Sequence, residues 1–482
     1  MPAIQRLTHV VAAATLALAA LFSPLASPDA LASGREGDAI RMDRLFVSST
    51  GSDARACTAA APCQTLARAL QLAKPGAIVQ LRAGTYPGQG LEGGKDGAPI
   101  VFEPAPGATV TFSGQLTVTS SKNLTIRGVH IANEVVSPGL LLQACNVNIR
   151  VEDVVAKSFA ILEGNRNIVL RGGAYGGAHT QGVEEDPVVG TSHSRGPGAN
   201  CDGAIAPPSR NLLFDGVLFH DSMWGATSRA FYDPAHPDCL QIQGYVQGLV
   251  IRNSTFLRCG DSFLGMYPDQ GDIFDVRIEN NAFIELGNLT YFGIQIAKSD
   301  TPYSCGNFVF RRNVYWPNNP TSWAPYSIPR FSCTANGSVT PVTENLIQAG
   351  FDRSVCTLVE GENGNRWTDN VFVSGTPCGT TVALPWGYKI VDGKLKLGTD
   401  ERRALSTLFL LARGAKATLD GVTKELRARK LVAPARTGWN KRLVRRALLE
   451  KRYVGRFYGP PGWHQGVVTQ VAWNRAQAAL TR

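Results

Sequence analysis

Along most of the chain, two or three alternating apolar residues are followed by a charged residue, then Gly or Asn, then a second apolar pair. The phrase recurs as "NLTIRGVHI" from Asn123, "NIVLRGGAY" from Asn167, "NLLFDGVLF" from Asn211, "GLVIRNSTF" from Gly248, "DVRIENNAF" from Asp275 and "NFVFRRNVY" from Asn307, with a weaker "NRWTDNVF" from Asn365. Alternation with period two marks β-strands, and the Gly or Asn that follows marks a tight turn. Taking Ile126, Leu170, Phe214, Ile251, Ile278 and Phe310 as equivalent gives spacings of 44, 44, 37, 27 and 32 residues. Those spacings fit coils of a little over 20 residues that carry insertions and double where one coil is poorly marked; a strand around Val151 fills the first gap. A strand-and-turn phrase repeated at this length predicts a parallel β-helix, in which each coil buries its apolar residues against the next. A β-sandwich rarely repeats one phrase in this way.

The stretch "RLFVSSTGSDARACTAAAPCQTLARALQLAKPGAIVQLRAGTY", Arg44 to Tyr86, precedes the repeats. It resembles the opening segment of right-handed parallel β-helix proteins of the pectate-lyase superfamily. The resemblance covers residues 44 to 373. It implies a mostly β, pectin-lyase-like fold with a capping helix from Gln64 to Ala73, whose Leu66, Leu70 and Ala73 close the open end of the core. It says little about activity, because this fold hosts lyases, hydrolases, epimerases and inert adhesins.

The pattern changes after "SGTPCGTTVAL", residues 374 to 384, which reads as a linker. Helical spacing takes over: Leu405, Leu408 and Ala412 share a face; Leu419, Val422 and Leu426 follow a Thr418 cap; Asn440 caps a helix from Lys441 to Arg452 with Leu443, Val444, Ala447 and Leu448 inward. Lys441, Arg442, Arg445 and Arg446 remain outside, an arrangement suited to DNA or another polyanion. The segment from Pro385 to Arg482 resembles the "recombinase" domain of large serine recombinases. The matching phrases are Pro385-Trp386-Gly387-Tyr388, "VDGKL", "ELRARKLVAP", Trp439, "RRALLEKRYVG" and "VVTQVAWNRAQAAL". The resemblance implies a small helix-turn-helix-like DNA-binding fold without recombination, since no nucleophilic-serine domain precedes it.

Charge separates the same two regions. From Pro385 onward there are 21 Lys and Arg against 6 Asp and Glu; before it there are 27 against 32. The basic region therefore suits anionic partners. At the N-terminus, Arg6 and His9 precede an apolar run from Val10 to Phe22, and Ala30-Leu31-Ala32 completes a signal-peptide pattern cleaved after Ala32. Residues 33 to 43 read as a flexible lead, and no later segment is apolar enough to span a membrane. A secreted or extracytoplasmic protein is expected. The ten cysteines fit that compartment as disulfides. Cys57 and Cys63 are near enough to staple one loop, Cys239 and Cys259 to join two coils, and Cys305 with Cys333 or Cys356 with Cys378 to close longer loops. No His or Cys spacing supports zinc.

Candidate chemistry concentrates in "FYDPAHPDCLQIQG", Phe231 to Gly244. A strand from Asp238 would put Leu240 and Ile242 in the core and Gln241 and Gln243 on the outer face. Aligning the next coil, "CGDSFLGM", sets Asp261 over Asp238, so two carboxylates would share a site, as acid and base or around a cation. "FGIQIAK" adds Gln295 and Lys298. This constellation resembles the outer groove of β-helix enzymes acting on uronic-acid polymers, and "DPAHPD" resembles the Asp-Pro-His signature of alginate epimerases with Ala235 inserted. His236, Asp238, Asp261 and Lys298 are the expected catalytic residues, and Asp233, Gln241, Gln243 and Gln295 the expected substrate contacts. A divalent cation such as calcium is one means of neutralising the substrate carboxylate. The expected partner is an acidic polysaccharide, processed by lyase, hydrolase or epimerase chemistry. The alternatives are a non-catalytic scaffold with a DNA- or polyanion-binding tail, and a purely structural role in which Asp238 and Asp261 hold turn N–H groups and the glutamines form a ladder.

Overall fold

The computed structural model describes residues 43–132, 138–162, 164–178, 188–189, 208–223, 238–259, 262–268, 271–286, 294–296, 303–316, 329–331, 341–347, 366–373, 383–391, 394–414, 416–435, 437–454 and 457–477. The expected signal peptide, the expected N-terminal lead except Asp43, and the expected linker except Ala383 and Leu384 lie outside them. Residues 42–482 form one compact unit.

The repeats wind into a parallel β-helix with three faces. On the first face, Ile126 pairs with Val151, Val151 with Leu170, Leu170 with Phe214, Phe214 with Ile251, Ile251 with Ile278 and Ile278 with Phe310. Phe310 continues to Val342, and Val342 to Trp367, so the weak final repeat belongs to the same column. The equivalence read from the sequence holds, with one correction. Val151 fills the first 44-residue gap, but Leu170 and Phe214 are direct neighbours, so the second gap is a single coil enlarged by an insertion.

Among the described residues, eleven parallel strands, from Gly84–Tyr86 to Val371–Phe372, form the second face. The third runs from Gln89–Gly94 through Leu140–Gln143, Gln241–Ile242 and Leu264–Met266 to Pro329–Phe331. The long strand Leu116–Arg127 bends from the third face into the first. Inward residues of all three faces make one apolar core.

Turn chemistry explains the recurring Gly and Asn. Leaving the first face, Gly128, Asp153, Gly172, Gly216, Asn253, Asn280, Arg312, Glu344 and Asp369 stack in register, all with φ between 52° and 72°. Gly and Asn suit this left-handed conformation, which other residues adopt at some cost. In the last coils the next residue is a fully buried Asn. Asn281, Asn313, Asn345 and Asn370 form a ladder in which each carboxamide binds its own neighbour's carboxamide and backbone.

The capping helix α1 (Leu66–Leu72) is where the apolar spacing places it, with Leu66, Ala69 and Leu70 buried and the Thr65 hydroxyl accepting from the Arg68 N–H. Among the described residues of the C-terminal region, an antiparallel hairpin (Tyr388–Val391 with Lys394–Leu397) precedes α2 (Thr399–Ala412), α3 (Leu419–Ala428), α4 (Lys441–Leu449) and α5 (Gln470–Gln477). Thr418 and Asn440 cap α3 and α4 as expected. Helix α4 stops at Leu449 rather than Arg452: Glu450 leaves helical geometry, and its carboxylate accepts from the Arg452 N–H as the chain turns to bury Tyr453. The region packs on outward residues of the second face: Ala282, Val314, Leu346 and Val371 share a core with Leu405, Phe409, Trp439 and Tyr458.

Candidate functional site

The third face is where the insertions converge. The chain reaches its strands through the connections Ala178 to Val188, Met223 to Gln241 and Leu286 to Ile294. Long connections on a rigid scaffold are the usual carriers of binding groups. Asp233, His236, Asp261 and Lys298 lie outside the described residues, as do the side chains of Gln295 and Arg330.

The described part differs from expectation in two respects. Gln241 pairs with Gly265, and Ile242 with Met266, so the register brings Ser262 over Asp238, where the sequence alignment had set Asp261. The Ser262 N–H and hydroxyl both donate to Asp238 Oδ1, the former at 3.0 Å. Secondly, Leu240 and Ile242 enter the core as expected, but Gln241 and Gln243 on the opposite side are 6% and 4% exposed rather than solvated. Gln243 Nε2 donates to Gln241 Oε1 at 3.1 Å, so each amide has a polar partner away from water. The backbone of Gln295 continues the same column through Gly265.

Gly265 shapes this place. A Cβ there would lie 2.5 Å from Asp238 Oδ2, 2.7 Å from Tyr267 Cε2 and 3.1 Å from the Tyr267 hydroxyl. The space that a side chain would fill is thus bordered by both a carboxylate and a phenol. Asp238 is fully buried, whereas Tyr267 is partly exposed. Tyr267, Gly265 and Ser262 were not singled out in the sequence; the signal was the alternation within "SFLGMY", which sets Gly265 and Tyr267 on one side and Leu264 and Met266 on the other. The Cys239–Cys259 bridge joins the two coils beside Asp238, and Cys57–Cys63 closes the N-terminal loop.

A second cluster ends the strand Leu218–Met223 on the second face. His220 Nδ1 lies 2.8 Å from Asp221 Oδ2, and Arg258 of the next coil donates to the same carboxylate, with Nη2 at 2.7 Å. Burial raises the Asp221 pKa, but hydrogen bonds from His220 and Arg258 and the Arg258 charge outweigh it and hold the group at about 2. This brace ties two coils together. Among the described residues, no group of three His, Cys, Asp or Glu could hold a metal ion.

The basic residues of α4 are exposed as expected, but not as a free surface. Lys441 pairs with Asp420 of α3 at 2.7 Å. Arg442, Arg445 and Arg446 form one wall of a cavity of about 650 Å³ whose other side includes Glu344 and Asp369 of the β-helix turns.

No protein-family model matches the chain. An uncharacterized protein of Bacillus subtilis (strain 168), YwoF, is 27% identical over 154 residues, 31% of either chain, so this chain spans about a third of that relative's length. Among solved structures, pectate lyase Pel9A superposes with a TM-score of 0.37 at 15% identity, covering 58% of this chain and 77% of its own. A rhamnogalacturonan lyase gives 0.36 at 13% identity, over 74% of this chain and 97% of that one. The A-module of the Azotobacter vinelandii mannuronan C-5 epimerase AlgE4 gives 0.33 at 12% identity, over 70% and 100%.

Proposed function

We propose that the chain is an extracytoplasmic, carbohydrate-active β-helix protein that binds an acidic polysaccharide on its third face and acts on it by proton transfer. The observation that carries this reading is that Asp238 Oδ2 and the Tyr267 ring and hydroxyl all border the space above Gly265. Hydrolysis needs two carboxylates flanking the scissile bond. The register gives Asp238 a serine partner, which favours elimination or epimerisation over hydrolysis. In a uronate the proton on the ring carbon next to the carboxylate is the acidic one. Its removal, followed by loss of the neighbouring glycosidic oxygen or by return of a proton to the other side, accounts for lyase and epimerase chemistry respectively. Tyr267 is the described group able to exchange that proton, and Asp238, anchored by Ser262, is the positioning residue behind it. His236, Asp261 and Lys298 remain proposed contributors, and calcium a proposed means of neutralising the substrate carboxylate. The disulfides fit an oxidising compartment.

The full chain should be assayed on polygalacturonate, alginate and rhamnogalacturonan for unsaturated uronate and for solvent-proton exchange at the ring. Tyr267→Phe should lower the rate by ~100-fold or more with an unchanged melting temperature. Absence of both products on every polymer, or a Tyr267→Phe protein as active as its parent, would overturn the reading. A non-catalytic polyanion-binding scaffold is the second reading. It rests on the 21 basic residues after residue 384 and would show binding that falls steeply with salt and no turnover.

A further inference from the structure

The cavity between α4 and the β-helix turns shares no residue with the Tyr267 face, and its chemistry is unusual. Its cationic wall holds Arg442, Arg445, Arg446 and Lys451. Among the described residues none of the four forms an ion pair, while Lys441, Arg312 and Arg452 nearby are each paired, with Asp420, Glu344 and Glu450. Glu344 and Glu450, although they line the cavity, are therefore already neutralised by their own arginines. Three arginines within five positions repel one another on an exposed helix surface, and an anion between them would relieve that repulsion.

The remaining lining says which anion. Asp369 is exposed and unpaired among the described residues, and it faces the same space as the arginines. Tyr458 also lines the space, but its hydroxyl is buried beside Arg452, and that burial pushes its pKa up to about 12, so it adds no negative charge there. A ligand with only phosphate acceptors would be held by the arginines and repelled by Asp369. A polyhydroxylated acid offers carboxylates to the guanidinium forks and hydroxyl donors to Asp369. The volume, about 650 Å³, lies in the usual range for small-ligand sites.

We propose that this cavity binds a short uronate segment of an acidic polysaccharide, with Arg442, Arg445, Arg446 and Lys451 on its carboxylates and Asp369 on its hydroxyls. It anchors the polymer on the C-terminal region whether or not the third face turns it over.

Calorimetry on the full chain with tetragalacturonate, tetramannuronate, the methyl ester of the former and a short duplex DNA tests it. At least one free acid should bind, and its ester should bind at least tenfold more weakly. Arg445→Gln/Arg446→Gln, and separately Arg442→Gln, should each weaken the acid about tenfold, while Arg413→Gln, just past the end of α2, leaves it unchanged. Tyr267→Phe should bind like the parent, which separates this site from the proposed reaction. The proposal is overturned if neither acid binds, if the ester binds equally, if both cavity variants bind normally, or if the duplex binds more tightly than the acids.

Discussion

The β-helix and the C-terminal helical region bury polar groups by opposite means. In the last coils of the β-helix a buried Asn is met by its own copy one coil away: Asn313 Nδ2 donates to the Ile278 carbonyl at 2.9 Å, while its Oδ1 accepts the Asn281 N–H at 2.9 Å. In the C-terminal region, polar groups are buried singly. His464 is 5% exposed, accepts the Phe457 N–H on Nδ1 at 3.1 Å and packs edge-on to Tyr388. Repetition lets each coil satisfy the next, whereas a one-off fold must find a separate partner for every group.

Breaking the ladder should have the largest effect. Asn313→Leu keeps the volume but leaves the Ile278 carbonyl and the Asn281 N–H buried without partners, which costs on the order of 4 kcal/mol. A urea midpoint measured against the parent checks this. A loss below about 1 kcal/mol would mean that the coils repack around the gap and that the ladder is no more binding than a single hydrogen bond.

The second test moves to the C-terminal region and uses pH. Burial pushes the His464 imidazole down to about 4, and the Arg452 charge adds to the shift. The unfolded chain takes up a proton there from about pH 6.5 downward, and the folded chain refuses it until about pH 4. Stability tied to the neutral ring is therefore complete above about pH 6.5 and lost as pH falls to about 4, by roughly 3 kcal/mol. His464→Asn preserves an acceptor for Phe457 and should abolish this part of the pH dependence. Asp221, held at about 2, loses its contribution only below the ordinary carboxylate range, so the two regions should separate in melts between pH 6.5 and 4. Identical pH profiles for parent and His464→Asn would remove His464 as the cause.

The same contrast explains what could be read from the sequence. Ile126, Leu170, Phe214, Ile251, Ile278 and Phe310 were visible as one column because each coil must repeat the residue that its neighbour buries against. Leu405, Leu408, Val422 and Val444 were visible because helices repeat their apolar face within themselves. The third face was not legible in the same way. Gln241–Ile242 and Leu264–Met266 are two and three residues long between insertions, too short to fix a register, and a slip of one residue set Asp261 rather than Ser262 on Asp238. Gly265 carried no signal alone, since its role is the space it leaves for two side chains from elsewhere. Nor does helical spacing reveal that Arg442, Arg445 and Arg446 share a cavity with Glu344 and Asp369, because that juxtaposition is made by packing between distant parts of the chain.

The smallest effects carry the comparison to a single backbone angle. Lys430 follows α3 with φ 52°, while the Leu431 N–H bonds the Leu426 carbonyl and the Lys430 N–H bonds that of Arg427. This is the helix ending that favours glycine at the Lys430 position. Asn148 in the β-helix has φ 58°, nearly the same, but its amide donates to Asn123 Oδ1 at 2.8 Å and its Oδ1 accepts from Asn167 at 2.8 Å. Lys430→Gly removes strain and no contact, so it should stabilise the protein by roughly 1 kcal/mol. Asn148→Gly relieves little, because Asn tolerates the left-handed region, and it deletes two exposed ladder bonds, so it should destabilise by about 0.5 kcal/mol. Opposite signs at one φ, read from paired urea titrations, would show that the β-helix turn residues are kept for the neighbour they bind. Stabilisation by both variants would mean that the exposed Asn column contributes only its backbone angle.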